Sequence, residues 1–93
     1  MSGKTAVGYA VIRREREKQK IIDLLRRAAT SQGYDLIAVF LDKSKPGRAF
    51  RTVRELLDEG TADAVFTPNW ADVEGLDTRG FYFVNYLIRW GYM

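Results

Sequence analysis

The chain contains no cysteine and no histidine. A disulfide scaffold, Cys/His metal sites and histidine-based acid–base catalysis are therefore excluded for these 93 residues. No run of 18 apolar residues occurs, so no membrane-spanning helix is expected. The first residues, Met1-Ser2-Gly3-Lys4, lack the long apolar stretch of a secretory signal. A cytoplasmic location fits these absences. No Gly-rich phosphate loop of the G-x-x-x-x-G-K-[ST] or G-x-G-x-x-G kind appears, and no internal repeat or low-complexity tract. No cofactor is expected.

Charge is plentiful but unevenly placed. Residues 1–54 hold 13 Lys/Arg and 5 Asp/Glu, a net of +8, while residues 55–93 hold 2 and 7, a net of −5. Such polarity either steers nucleic acid to one side or pairs protomers head to tail, against the plainer reading of a solvated surface. The length suits one domain over residues 1–93, a whole protein or a piece of a larger one. A domain this small is expected to associate with a partner or with itself.

Thr5 to Ile12 reads as a central strand, because both alternating faces are largely apolar. Thr5, Val7, Tyr9 and Val11 face one way, and Ala6, Gly8, Ala10 and Ile12 the other. Gly8 and Ala10 leave room for close packing or, less economically, for a ligand. Residues 14–31 read as a helix with Ile21, Leu25 and Ala28 on one face and Ile22 and Ala29 beside it. Gly33 stops it. Asp35–Leu41 is a second strand. Residues 42–48 form a polar loop with a Pro46-Gly47 turn, expected to be mobile. Residues 49–59 form a second helix with Phe50, Val53, Leu56 and Leu57 on its apolar face, ending at Gly60.

Ala62–Thr67 is a third strand, which Pro68 must end. Trp70 is expected to be at least partly buried. Residues 71–78 are an acidic loop or short helical turn. The last segment has strand-like composition from Phe81 to Ile88. The alternation of strands and helices favours a helix from about Arg79 to Trp90 instead. The order implies an α/β fold, a small three-layer sandwich with a mainly parallel sheet.

Two candidate surfaces stand out. Arg13, Arg14, Arg16 and Lys18, with Lys43, Lys45, Arg48, Arg51 and Arg54, are spaced to contact backbone phosphates without reading bases. The aromatic residues Trp70, Phe81, Tyr82, Tyr86 and Trp90 are candidates for contact with a protein partner or a further domain.

Val7-Gly8-Tyr9-Ala10 entering a charged helix, Asp35 to Phe40, a polar loop, Arg48-Ala49-Phe50 and a helix ending Leu56-Leu57-Asp58-Glu59-Gly60 resemble the catalytic domain of serine recombinases, the resolvases and invertases. The resemblance covers residues 5–67 and implies a resolvase-like fold. In that family a Tyr-x-Arg-x-Ser pattern at the end of the first strand supplies the serine that attacks a DNA phosphodiester. Here Val11 stands at the arginine position and Arg13 at the serine position. Arginine stays protonated and is a poor nucleophile. The family's later Leu-Asp-Arg-Leu-x-Arg is replaced by Trp70-Ala71-Asp72-Val73-Glu74-Gly75, which puts Ala71 where the aspartate belongs, Asp72 where the first arginine belongs and Gly75 where the second does; an alignment shifted by one puts Asp72 on the aspartate but restores neither arginine. Only Arg48 matches a family arginine.

The resemblance thus implies a degenerate, non-catalytic resolvase-like domain working through protein–protein association, as a regulator or adaptor of a DNA-associated process. Direct sequence-insensitive DNA binding is the first alternative. A residual phosphodiester enzyme using Thr67 or Ser44 is the second, and a structural α/β domain of a larger protein the third.

Overall fold

The computed structural model describes residues 3–84. Four strands, β1 (Thr5–Ile12), β2 (Asp35–Lys43), β3 (Ala64–Thr67) and β4 (Phe81–Phe83), form one sheet in the order β2-β1-β3-β4. All three pairings are parallel. Helix α1 (Lys18–Ser31) covers one face and α2 (Arg48–Glu59) the other, so the chain is a three-layer α/β sandwich. No helix among the described residues is long and apolar enough to cross a membrane.

The alternation in β1 builds both cores. Val7, Tyr9 and Val11 enter the cluster under α2, with Val53, Val65 and Phe81. Ala6 enters the cluster under α1, with Leu25, Ala28, Ala29 and Phe66. Leu24 joins Ile21 at the rim of that second cluster. Seven of the eight β1 residues are buried, as a strand covered on both faces must be. Gly8 is used for close packing and not for a ligand. A Cβ there would lie 2.9 Å from Leu25 Cδ1 and 3.1 Å from Val39 Cγ2. α2 packs through the expected Phe50, Val53, Leu56 and Leu57, and stops at Gly60, whose φ of 81° suits a residue without Cβ.

β2 lies at the sheet's edge and none of its nine residues is fully buried. Ala6 pairs with Leu36 but Val7 with Ala38, so Ile37 is one extra residue in β2. This bulge exchanges the faces of the strand. Leu36 and Val39, three apart, therefore both pack under α1, and Ala38 and Phe40 under α2. Ile37 is left 54% exposed.

Three sequence expectations are corrected here. The first helix begins as a 3-10 turn over Glu15–Glu17, because Glu17 Oε1 accepts the backbone N–H groups of Arg13 and Arg14 and tightens the entry. These two donors hold the Glu17 carboxyl below its usual range. The third strand starts at Ala64. Asp63 is spent on the edge of β1, where its Oδ2 accepts from Thr5 N at 2.8 Å. Finally, Phe81–Phe83 is strand β4, so the expected helix does not begin at Arg79; residues 85–90 of that expectation lie outside the described residues. Val65, Phe66 and Thr67 offer it an open parallel edge, and the aromatic composition that suggested a strand is what fills it. The crossover from β3 to β4 uses a 3-10 turn over Trp70–Val73 in place of a helix, with Val73 plugged into the core under α2.

Arg54 holds that crossover. Its Nη1 donates to the carbonyls of Asp77 and Arg79, both at 3.0 Å, and its guanidinium pairs with Asp58 at 3.3 Å and Asp77 at 3.4 Å. Its side chain is only 17% exposed. It is therefore a structural tie and leaves the basic surface to which its spacing assigned it.

Candidate functional site

In an open parallel sheet the strands' carboxyl ends form the usual binding crevice, where neighbouring strands connect to opposite sides. Here that point lies between β1 and β3: α1 leads from β1 to β2 on one side, and α2 returns the chain to β3 on the other. Four segments meet at this edge: Arg13 after β1, Ser44 to Gly47 after β2, Pro68 to Asp72 after β3, and the start of α2.

The centre of the edge is a carboxylate that the sequence reading did not single out. Asp42, at the end of β2, accepts four hydrogen bonds. Tyr9 Oη donates to Oδ2 at 2.8 Å, Gly47 N to Oδ2 at 2.7 Å, Phe50 N to Oδ2 at 3.0 Å and Ala49 N to Oδ1 at 3.0 Å. Three donors come from the entry to α2, which no local side chain caps. Asp42 thus serves the role of an N-cap from outside the helix. Burial pushes its carboxyl up, but the backbone donors and the Tyr9 hydroxyl outweigh this and hold it below the usual range. Burial and the bond to Asp42 push the Tyr9 phenol well above its ordinary value, so it stays a neutral donor. The helix terminus that could cradle a phosphate is occupied by the protein's own anion. The 42–48 loop, expected to be mobile, is tied down by the same bonds.

The second feature is an ion pair across the crevice. Arg13 Nη2 lies 3.6 Å from Asp72 Oδ1, with the arginine 61% exposed and the aspartate 15%. Residues from the β1–α1 and β3–β4 connections, 59 positions apart, close over the end of the sheet. The two alternative nucleophiles are not assembled into a catalytic group. Thr67 is fully buried in β3, and its Oγ1 has no hydrogen-bond partner among the described residues. Ser44 is exposed between Lys43 and Lys45, at a φ of 68°. Neither makes a side-chain hydrogen bond to a base.

The predicted basic residues do come together. Arg13, Arg14, Arg16 and Lys18 follow β1, and Lys43, Lys45, Arg48 and Arg51 end β2 and open α2. Ile12 pairs with Lys43, so both groups sit on the same edge of the sheet. All eight are exposed. Arg13 is paired with Asp72, and Lys18 lies 3.9 Å from Glu15. Arg14 lies beside Glu17, whose carboxylate accepts from its backbone N–H. The other five have no carboxylate partner among the described residues.

The aromatic surface is only partly as expected. Trp70 is 52% exposed and not a core plug, because it opens the 3-10 turn while Val73 takes the buried position. Phe81, expected at a partner surface, is instead buried at 8% exposure and tilted against Phe50 at 5.7 Å, so it offers no contact surface. Tyr82 is 37% exposed and stacks near Phe66 and Tyr34. Tyr86 and Trp90 lie outside the described residues. Two exposed apolar side chains that periodicity did not flag, Ile37 and Leu76, join Trp70 and Tyr82. The bulge exposes Ile37, and Leu76 rims an open groove of about 380 Å³ with Pro46, Gly47, Phe50 and Arg51. Comparison with protein-family models, curated proteins and solved structures found no match.

Proposed function

We propose that this chain is a non-catalytic, resolvase-like domain that acts by protein–protein association, in the service of a DNA-associated process. The observation that carries this reading is the Arg13–Asp72 pair. The resemblance places the nucleophilic serine at position 13 and, in the unshifted alignment, a phosphate-clamping arginine at position 72. The two positions meet in space, as members of one site must, yet they hold an arginine and an aspartate. A carboxylate at that point opposes the charge that develops on a transferring phosphoryl group, and the guanidinium cannot attack phosphorus. Asp42, at the end of β2 and bound to the entry of α2, adds a second fixed anion at the same edge of the sheet. Ile37 on β2, Trp70 and Leu76 in the β3–β4 connection and Tyr82 on β4 are the exposed apolar side chains available to a protein–protein contact.

The chemical half of this reading is tested with supercoiled plasmid. Incubation with the protein, followed by a denaturing quench, is expected to yield neither a covalent protein–DNA species nor nicked circles. Either product in amounts that scale with protein would overturn it.

One observation favours a second reading. Eight exposed cations on one edge, five of them without a carboxylate partner among the described residues, form a surface for backbone phosphates. On that reading, affinity for duplex DNA is independent of sequence and falls by orders of magnitude between low and physiological salt. It is lost in the Arg13→Glu, Arg48→Glu variant. Titrations of two unrelated duplexes at several salt concentrations decide it: no binding at low salt removes the second reading.

A further inference from the structure

The carboxyl edge of the sheet carries an exposed indole as well as cations. Trp70 follows β3 and is 52% exposed. Its turn holds it in place. Asn69 Oδ1 accepts from Ala71 N at 3.0 Å, and Val73, fully buried, anchors the other end. Asp72 of the same turn lies 3.6 Å from Arg13, so Trp70 is two residues from the contact with the arginine that follows β1. Further along the same connection, exposed Leu76 shares an open groove with Pro46, Phe50 and Arg51. Apolar and cationic side chains therefore interleave at this edge. Acids lie there too, and four of them are engaged. Glu15 pairs with Lys18 and Asp72 with Arg13, Glu17 accepts the N–H groups of Arg13 and Arg14, and Asp42 accepts its four bonds. Glu74, after the Trp70 turn, is exposed. Arg16, Lys43, Lys45, Arg48 and Arg51 are exposed and have no carboxylate partner among the described residues.

We infer that this edge binds single-stranded nucleic acid, with a base stacked on Trp70 and the flanking phosphates on the five free cations. This goes beyond the association reading and leaves it room: Ile37 on β2 and Tyr82 on β4 lie on the two outer strands of the sheet and remain for protein contact. The side chains present select the ligand. A duplex offers phosphates to the cations but keeps its bases stacked on one another, so the indole meets no base face. A single strand offers both, since every base has a π-face and every step a phosphate. A turn already fixed in the free protein loses little freedom on contact. Stacking tolerates any base, so binding depends on the strand being single and not on its order. Ribose and deoxyribose strands share this chemistry.

The test is fluorescence titration of the full chain in a Trp90→Phe background, where Trp70 is the sole indole. The probes are oligothymidylate, oligouridylate, an abasic deoxyribose-phosphate strand and a duplex, all of one length, and an oligoglutamate peptide of matching charge. At about 20 mM salt, oligothymidylate or oligouridylate is expected to quench Trp70 and to bind more tightly than the other three probes; the tighter of the two identifies the sugar. Trp70→Ala, followed by anisotropy of a labelled strand, is expected to weaken binding by roughly ten- to a hundredfold with the salt dependence unchanged, and Trp70→Tyr to restore most of it. Lys45→Ala with Arg48→Ala is expected to keep the quenching and to lower the slope of log affinity against log salt by roughly 1.4, the share of two phosphates. Circular dichroism matching wild type confirms that the variants fold. Equal affinity for the abasic strand or the duplex would reduce the edge to a phosphate surface and overturn the inference. Equal affinity for oligoglutamate would assign the edge to an acidic protein and overturn it too, as would wild-type affinity in Trp70→Ala or no binding of either single strand. The association reading is decided separately, by light scattering without nucleic acid.

Discussion

Asp42→Ala lowers the unfolding free energy by roughly 3 kcal/mol, measured by urea denaturation near neutral pH. The change removes the acceptor of four hydrogen bonds at once. Three N–H groups at the entry to α2 lose their cap, and the Tyr9 hydroxyl, on a fully buried residue, loses its partner. In a domain of this size the total is about 5–10 kcal/mol, so the melting temperature drops by on the order of 15 °C. Tyr9→Phe, which removes one of the four donors, costs about 1 kcal/mol. The pH dependence gives an independent check. The folded Asp42 carboxyl titrates below its ordinary value near 3.8. Its contribution is therefore complete above that value and is lost as pH falls through the lower, folded one. The wild type loses this increment on acidification, and the Asp42→Ala protein, having none to lose, shows a shallower acid limb.

Phe66→Ala costs roughly 3–5 kcal/mol, and at 37 °C the variant is partly unfolded. Phe66 is fully buried at the middle of β3, paired in register between Gly8 and Tyr82. Its ring lies 5.4 Å from Tyr34 and 5.1 Å from Tyr82. Gly8 supplies no side chain on the β1 flank, so no group from that strand position fills the void. Tyr82→Phe is the contrast: it removes only the bond between the Tyr34 and Tyr82 hydroxyls at 3.1 Å and costs under about 1 kcal/mol. A loss at Phe66 no greater than that at Tyr82 would mean that β4 is not docked on β3 as described.

What was legible in the sequence follows from periodicity. β1 carries apolar residues on both faces, which states directly that it is covered twice, and α1 and α2 announce their buried faces. The basic edge was legible too, since residues that follow successive parallel strands must share an edge. Three features were not. Asp42 caps α2 from five to eight residues upstream, whereas capping patterns inspect the residue next to the helix, which here is Gly47. The bulge at Ile37 arises from pairing with β1, which no single strand encodes. β4 is three residues long and was outweighed by the expectation that a helix should follow β3. Its signal was present in the Phe-Tyr-Phe composition, and the 3-10 turn with Val73 supplies the cover a helix would have given. The Arg13–Asp72 contact joined two positions that the sequence reading treated separately, as two missing pieces of one site.

The claim that this domain works by association is tested most directly by its mass in solution, at low ionic strength, with and without duplex DNA. The account predicts a mean mass above the 10.7 kDa of one chain in the absence of DNA, rising with protein concentration. A mass that stays at 10.7 kDa at every concentration, and increases only when duplex DNA is added, would contradict it.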